Sequence, residues 1–420
     1  MVPELVITGR AFFKGELKDT EIGISDGKIV YIGPSAGRGD RRIDVGTSRI
    51  ILPGGIDPHV HFRDPGMTQK EDFGSGSTAA ICGGVTCVLD MPNTKPPSVD
   101  LESISSKKAR MRKRSYCDYG LFAAITKNHK PAKFAPLVAG FKLFMGSTTG
   151  NILTNDDEAI AKVSDDIIAS GKVLSVHAED DDMIRLEYES NCTDHLRNRP
   201  ASAEANAIRR LSRYKDMKIN ICHITTAEGL ALARSYGFTT EVTLHHLMFD
   251  SNHGPDTKFK VNPPLREPAA RESLYRAFER NELTMFGSDH APHTLDEKTQ
   301  EFDSAPSGMP GIETTMPILM NMVRNGSFSL ERLTEMCSVA PARVFGMNKG
   351  SIEVGKDADL AIFDLRNTEK INTARLHSKA GYSPYDGWDA VFPDIMMLRG
   401  EIQLQDGEFC GEARGEDIIG

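Results

Sequence analysis

The sequence predicts an α/β protein: a (β/α)8 barrel of the TIM type carrying a small composite β domain built from its N- and C-terminal segments. Three features lead there. Between residues 52 and 345, short β-rich runs alternate with segments long enough to hold crossover helices. The polar residues able to bind metal or move protons gather at the ends of these runs. The flanks on either side have a different texture, alternating and rich in turns, as antiparallel strands require.

Taken in order, residues 4–33 alternate in the manner of strands, with Leu5 and Ile7, Ile22 and Ile24, then Ile29 and Tyr31. Turn chemistry at Gly9, Ser25-Asp26-Gly27 and Gly33 separates them. The barrel strands are then expected at Gly55–His59, Thr86–Met91, Tyr119–Ala124, Gly140–Phe144, Val173–His177, Lys218–His223, Thr240–Thr243 and Thr284–Gly287. Asp156–Ser170 and Ala201–Arg213 are the clearest crossover helices. Eight strands over about 240 residues match a TIM-type barrel in count and length. Periodicity alone also admits a doubly wound open sheet; the placement of the polar residues decides for the barrel. Strand texture returns at Ala358–Asp364, Ile395–Leu398 and Ile402–Leu404. The chain therefore divides into residues 1–51 and 346–420, which pair into one β domain, and a barrel over residues 52–345.

Composition narrows the function. With 420 residues, 39% hydrophobic and 26% charged, the chain can bury a sizeable core. A formal net charge of −9 argues against a general nucleic-acid binder, which needs a basic surface to offset phosphate charge. The opening MVPELVITGRAFFKGE has no apolar core behind a basic end. No run approaches the roughly 20 apolar residues that span a bilayer, so a cytoplasmic protein without membrane contact is expected. The seven cysteines are odd in number and contain no C-x-x-C pair. Most are expected as buried free thiols; Cys222, beside His223, is either one of these or a ligand. The charge run Lys107–Arg114 reads as a contact for nucleic acid or an acidic partner or, in better accord with the acidic chain, as the solvated face and C-terminal end of a barrel helix.

The chemistry concentrates in Asp57-Pro58-His59-Val60-His61-Phe62-Arg63. Residues two apart on a strand share a side, so His59 and His61 can converge on one zinc-like ion. A lone H-x-H is weak. The reading strengthens because Lys142, His177, His223 and Asp289 also fall at or near strand ends, which on a barrel form one rim around a single pocket. Lys142 stands among Phe141, Leu143 and Phe144. An ammonium cannot ligate a metal; a neutral amine can combine with carbon dioxide to give a carbamate, a carboxylate on a long stem.

These pieces resemble the amidohydrolase superfamily and, within it, the class I dihydroorotases. The resemblance rests on Pro53–Gly66 (PGGIDPHVHFRDPG), Asp90–Thr94, Lys142, His177, His223, Val261–Arg266, Ser288–His293, Gly308–Glu313 and Gly355–Leu360, and so spans nearly the whole chain. It implies two divalent metal ions of the zinc type. His59 and His61 would hold one ion and His177 and His223 the other. Lys142, as N6-carboxylysine, would bridge them. Asp289 would be the last ligand and the acid/base. Some members carry an aspartate for the lysine, which leaves Asp156 or Asp157 as a fallback bridge. The implied reaction is the reversible hydrolysis of dihydroorotate to N-carbamoyl-L-aspartate.

Arg63 offers a bidentate fork to the substrate carboxylate, which allantoinase and hydantoinase substrates lack at this position. Asn93 and His293 would complete that grip, Asn262 would touch the ring, and Ser307 and Gly308 would add contacts. The alternative for Arg63 is an ion pair with Asp64 or Glu71. Residues 294–308 read as a lid or as a plain surface loop. The competing functions are another cyclic-amide hydrolase, an allantoinase or hydantoinase, and a catalytically silent scaffold. A small-molecule substrate is the expected partner, and the sequence is compatible with a homo-oligomer.

Overall fold

The computed structural model describes residues 2–127, 130–148, 150 and 152–419. Two sheets organise it. The central one runs β1 (Gly55–Val60), β2 (Val85–Asp90), β3 (Asp118–Ala124), β4 (Gly140–Phe144), β5 (Val173–His177), β6 (Lys218–Ile221), β7 (Thr239–Val242) and β8 (Met285–Phe286). Each is parallel to the next and neighbours follow chain order, so the sheet curls into a barrel. The seam between first and last strand is closed by a parallel bridge of Val60 to His290 and by His61 N–H donating to His290 O at 2.8 Å.

Alternation along these strands sorts side chains between two environments. In β4, Phe141 and Leu143 pack outward into the large cluster shared with helix residues such as Ile160, Ile208 and Leu230. Lys142, between them, belongs to the opposite, inward face, and no part of it reaches solvent. In β5, Leu174 and Val176 take the outer role, which leaves Ser175 and His177 to the interior. The same pattern that builds the core therefore delivers the polar residues to the barrel mouth.

The second sheet joins the chain ends. Its nine strands include Leu5–Phe13, Glu16–Ser25 and Lys28–Gly33 from one flank and Leu360–Asp364, Ile395–Leu398 and Glu401–Gln405 from the other. The flanks meet where Arg49–Pro53 pairs antiparallel with Leu360–Asp364, Ile51 opposite Ile362. Ile7, Ile22, Ile24, Ile51, Leu360 and Ile362 form its own apolar cluster, as the alternating sequence leads one to expect.

One expectation needs correction. The run Lys107–Arg114 is not simply solvated. Lys107 is buried, 2.6 Å from Asp90 and donating to Met91 O at 2.8 Å, because the buried Asp90 at the end of β2 needs a counter-charge. Lys108 pairs with Asp417, and Arg110 and Arg114 both face Asp64, so the chain's own carboxylates engage most of the run. The stretch 294–308 carries a short helix and a buried lysine. Thr294 caps the helix Leu295–Lys298 with a capping box to Glu297, and the buried Lys298 ammonium donates to Pro306 O at 2.9 Å. Six cysteines are buried free thiols and Cys410 is exposed.

Candidate active site

At the C-terminal mouth of the barrel lies a small cavity lined by His59, His61, Arg63, Asn93, Lys142, His177, His223, Asn262, Asp289, Ser307 and Gly308, together with Phe144, Thr148 and Ala291. His59 lies in β1 and His61 just past it. Lys142 is in β4 and His177 ends β5, while His223 and Asp289 follow β6 and β8. Arg63, His223 and Asp289 all have positive φ, 60°, 37° and 46°. Non-glycine residues hold such backbone only where the surroundings enforce it, a condition that clusters at functional sites. Gly308 has φ of +137°, and a Cβ there would lie 2.5 Å from Ala291 O, so only glycine fits.

The imidazoles are set from behind. His59 Nδ1 is 2.8 Å from Glu241 Oε2, and His61 Nδ1 is 2.6 Å from Asn93 Oδ1. Both are acceptors, so each ring carries its proton on Nδ1 and turns the lone pair of Nε2 inward. The two Nε2 atoms then face Asp289 Oδ1 at 3.3 and 3.1 Å. Protonation is not what reconciles them: burial drives His59 down to about 3 and His61 to about 4. Two lone pairs against a carboxylate oxygen repel one another unless a cation sits among them. His177 is built alike, with Nε2 2.7 Å from Glu179 Oε2 and Nδ1 3.1 Å from His223 Nε2. Glu179 is fixed in turn by Arg199 at 2.6 Å. Burial would raise Glu179, but Arg199 and His177 outweigh it and hold the carboxyl far below its ordinary range. Imidazoles held by a carboxylate or amide at the far nitrogen are what a metal site requires. The donor set fits divalent cations, and His59, His223 and Asp289 bring one ligand atom each within 4.8 Å of one another.

Lys142 has an unusual neighbour for a buried amine: its Nζ lies 3.0 Å from Cys222 Sγ, and no carboxylate among the described residues comes within ion-pair distance. The fallback bridges are corrected here. Asp156 caps the helix Asp157–Ser170, and Asp157 is held by Arg210 at 2.6 Å and Arg213 at 2.8 Å. Both serve that helix start, and neither lines the cavity.

Arg63 is buried, and burial lowers its guanidinium to about 10. It is not paired with Asp64, which faces Arg110 and Arg114, nor with Glu71, which takes His290 at 3.2 Å and Ser378 at 2.6 Å. Its Nε donates to Pro292 O at 3.2 Å. His293 stands behind it, not on the cavity wall. Lys70 Nζ donates to His293 Nδ1 at 3.0 Å, so Nε2–H donates to Ser307 O at 3.0 Å and merely abuts Arg63 Nη2 at 3.3 Å. Asn262 Oδ1 is met by His195 Nε2 at 2.9 Å.

Sequence reasoning passed over Glu241, Glu179, Phe144, Thr148 and His195. A signal existed for the first two. Glu241 is an acid inside a buried strand, and Glu179 follows His177 by two and so shares its side.

This barrel with its histidine–lysine–aspartate mouth has a family. The amidohydrolase family model matches residues 50–400, and the chain belongs to that family, which implies a divalent metal site. Its curated relatives include the dihydroorotases of Pyrococcus furiosus, 37% identical over 99% of this chain and 96% of the relative, and of Pyrococcus abyssi, 39% identical over 99% and 98%. The dihydroorotase of Methanosarcina acetivorans is 36% identical over 98% and 94%. Among solved structures, the L-hydantoinase of Arthrobacter aurescens superposes with a TM-score of 0.93 at 27% identity over the whole of both chains. The dihydropyrimidinase of Brevibacillus agri gives 0.89 at 27% over 99% and 98%. Among the described residues no helix is long and apolar enough to cross a membrane.

Proposed function

We propose that this protein catalyses the reversible hydrolysis of L-dihydroorotate to N-carbamoyl-L-aspartate, the ring-closing reaction of pyrimidine synthesis. The observation that carries the substrate is Arg63: a buried guanidinium, on the wall of a cavity lined by four histidines, with no carboxylate in ion-pair contact among the described residues. Desolvating such a group is costly unless an anion arrives, and a ring carboxylate supplies one. Asn93, Asn262, Ser307 and Gly308 complete the substrate contacts, with His293 fixing Ser307 from behind and lying against Arg63.

His59 and His61 would hold one divalent ion and His177 and His223 a second, both zinc. Lys142, as N6-carboxylysine, would give each ion an oxygen, and Asp289 would complete the set. The chemistry such a pair supplies is a more acidic water and a polarised ring carbonyl. Asp289 then takes the proton of the attacking water and returns it to the departing ring nitrogen, which is general base followed by general acid catalysis. Arg63 and Asn262 keep the ring from turning while this happens. The working unit is residues 52–345, flanked by the composite β domain of residues 1–51 and 346–420, in a cytoplasmic homo-oligomer.

A substrate panel tests the reading. The wild type should favour dihydroorotate over uncharged dihydrouracil, hydantoin and allantoin in kcat/KM. Arg63→Met should lose about 2–5 kcal/mol of transition-state binding toward dihydroorotate with unchanged metal content. Equal handling of the uncharged rings by wild type would instead favour the hydantoinase-like reading that the solved structures offer.

A further inference from the structure

Away from the barrel mouth, the helix Phe73–Cys82 ends on a buried thiol. Cys82 Sγ lies 3.9 Å from His377 Nε2. On the far side of that ring, Glu313 Oε1 accepts from Nδ1–H at 2.7 Å and Oε2 accepts from the His377 backbone N–H at 2.8 Å. Glu313 is itself buried. The tautomer is thereby set, with the proton on Nδ1 and the Nε2 lone pair aimed at sulfur. Cys82, Glu313 and His377 each place a donor atom within 4.8 Å of the others, and all three line an open surface cavity together with Glu408.

We infer that Cys82 and His377 form a second cation site, for a borderline-soft divalent ion such as Zn2+, with Glu313 orienting the imidazole and water from the cavity completing the coordination. Reach permits it. Zinc bonds of about 2.3 Å to sulfur and 2.0–2.1 Å to nitrogen span more than the gap between the two atoms, so one ion can touch both without moving either. A carboxylate behind a ligating histidine is the usual support.

The rival reading of the same three residues is a Cys–His–Glu nucleophilic triad. Charge decides against it. The thiol sits at the negative, C-terminal end of its helix. Burial raises it first, and Glu313 and Glu408 raise it further, all of which suppress a free thiolate. The helix end and the two carboxylates attract a cation, and the ion takes the place of the thiol proton, which leaves to solvent as the sulfur–metal bond forms. None of these residues lines the barrel-mouth cavity, and the inference does not rest on the hydrolase reading.

The test uses Co2+ added to the purified full-length protein, read by thiolate-to-cobalt charge-transfer absorption. The band should appear in wild type, vanish in Cys82→Ser and in His377→Gln, and persist in Cys222→Ser, the thiol beside the barrel site. After loading with Zn2+ and desalting, Cys82→Ser should carry one ion fewer per chain than wild type while turning over dihydroorotate at the same rate. No band, a band that survives both the Cys82 and His377 changes, or equal zinc content would overturn the site. Should Cys82→Ser fail to fold, His377→Gln, at an exposed position, decides alone.

Discussion

Two buried lysines stand in opposite ends of the barrel and in opposite circumstances. At the N-terminal end, Lys349 is clamped between Asp118, at the start of β3, and Asp359, 2.7 Å away, while Arg399 also reaches Asp118. Burial alone would lower this ammonium, but Asp359 and Asp118 outweigh it and hold it well above the ordinary lysine range. At the C-terminal end, Lys142 is just as buried, yet its Nζ lies 3.0 Å from a thiol, Cys222 Sγ. One end of the barrel has its charges matched by the fold itself. The other keeps Arg63 and Lys142 without a carboxylate in ion-pair contact among the described residues, and three residues at positive φ. Such groups are expensive to bury unless a ligand or a modification arrives to match them. Where the fold withholds counter-charges is where the function lies.

The sharpest way to break this contrast is Lys142→Ala. If the lysine is carried as a carbamate between two metals, the variant should lose most bound metal and nearly all turnover, and added short carboxylates should restore part of both. Two tightly held ions and normal turnover would show that Lys142 is a mere core residue. The next effect in size belongs to Asp289. Asp289→Asn should keep at least one ion and lose a factor of about 10² or more in turnover, as removal of an acid/base group does. Near-normal rates across the pH range would remove it from the proton path.

The matched end should answer differently. Lys349→Met strands Asp118 and Asp359 beside Arg399 alone, and breaking a buried pair costs about 3–5 kcal/mol. Denaturant melts should show that loss, while kcat per folded molecule stays at the wild-type value. A fall in kcat with unchanged stability would mean that the two ends are coupled.

The barrel was legible in the sequence because its strands are buried on both faces and punctuated by turns. β4 and β5 fall at the expected residues, and the H-x-H, Lys142 and Asp289 positions all reach one cavity. What the sequence hid was pairing at a distance. Nothing local says that Lys107 folds inward to meet Asp90, that Asp157 is taken by Arg210, or that His293 backs Arg63 instead of facing the ring. Those outcomes depend on which helix packs on which strand. Glu241 and Glu179 were hidden for a similar reason: a carboxylate behind a histidine has no spacing motif, since its partner can come from any strand.

The smallest effect sharpens the contrast most, because it concerns a matched cluster at the functional end. Glu189 lies 2.9 Å from His195 Nδ1 and 3.1 Å from Lys260 Nζ, and His195 in turn meets Asn262 on the cavity wall. Burial would raise this carboxyl, but His195 above all, with Asn198 and Lys260, brings it down to about 2. A depressed folded value means stability that is present above the ordinary glutamate value of 4.5 and lost as pH falls through about 2. Glu189→Gln should therefore flatten the acid side of the stability curve in that window, by on the order of 1–2 kcal/mol once solvent screening is allowed for. Turnover near neutrality should change by less than about tenfold, the worth of one hydrogen bond behind Asn262. Urea melts of both proteins at the two ends of the window, with kcat measured near neutrality, check both halves. Equal acid sensitivity would show that the pairing contributes nothing. A collapse of turnover would place Glu189 with Lys142 and Asp289, so that position in the barrel, and not the matching of charge, would mark a residue as functional.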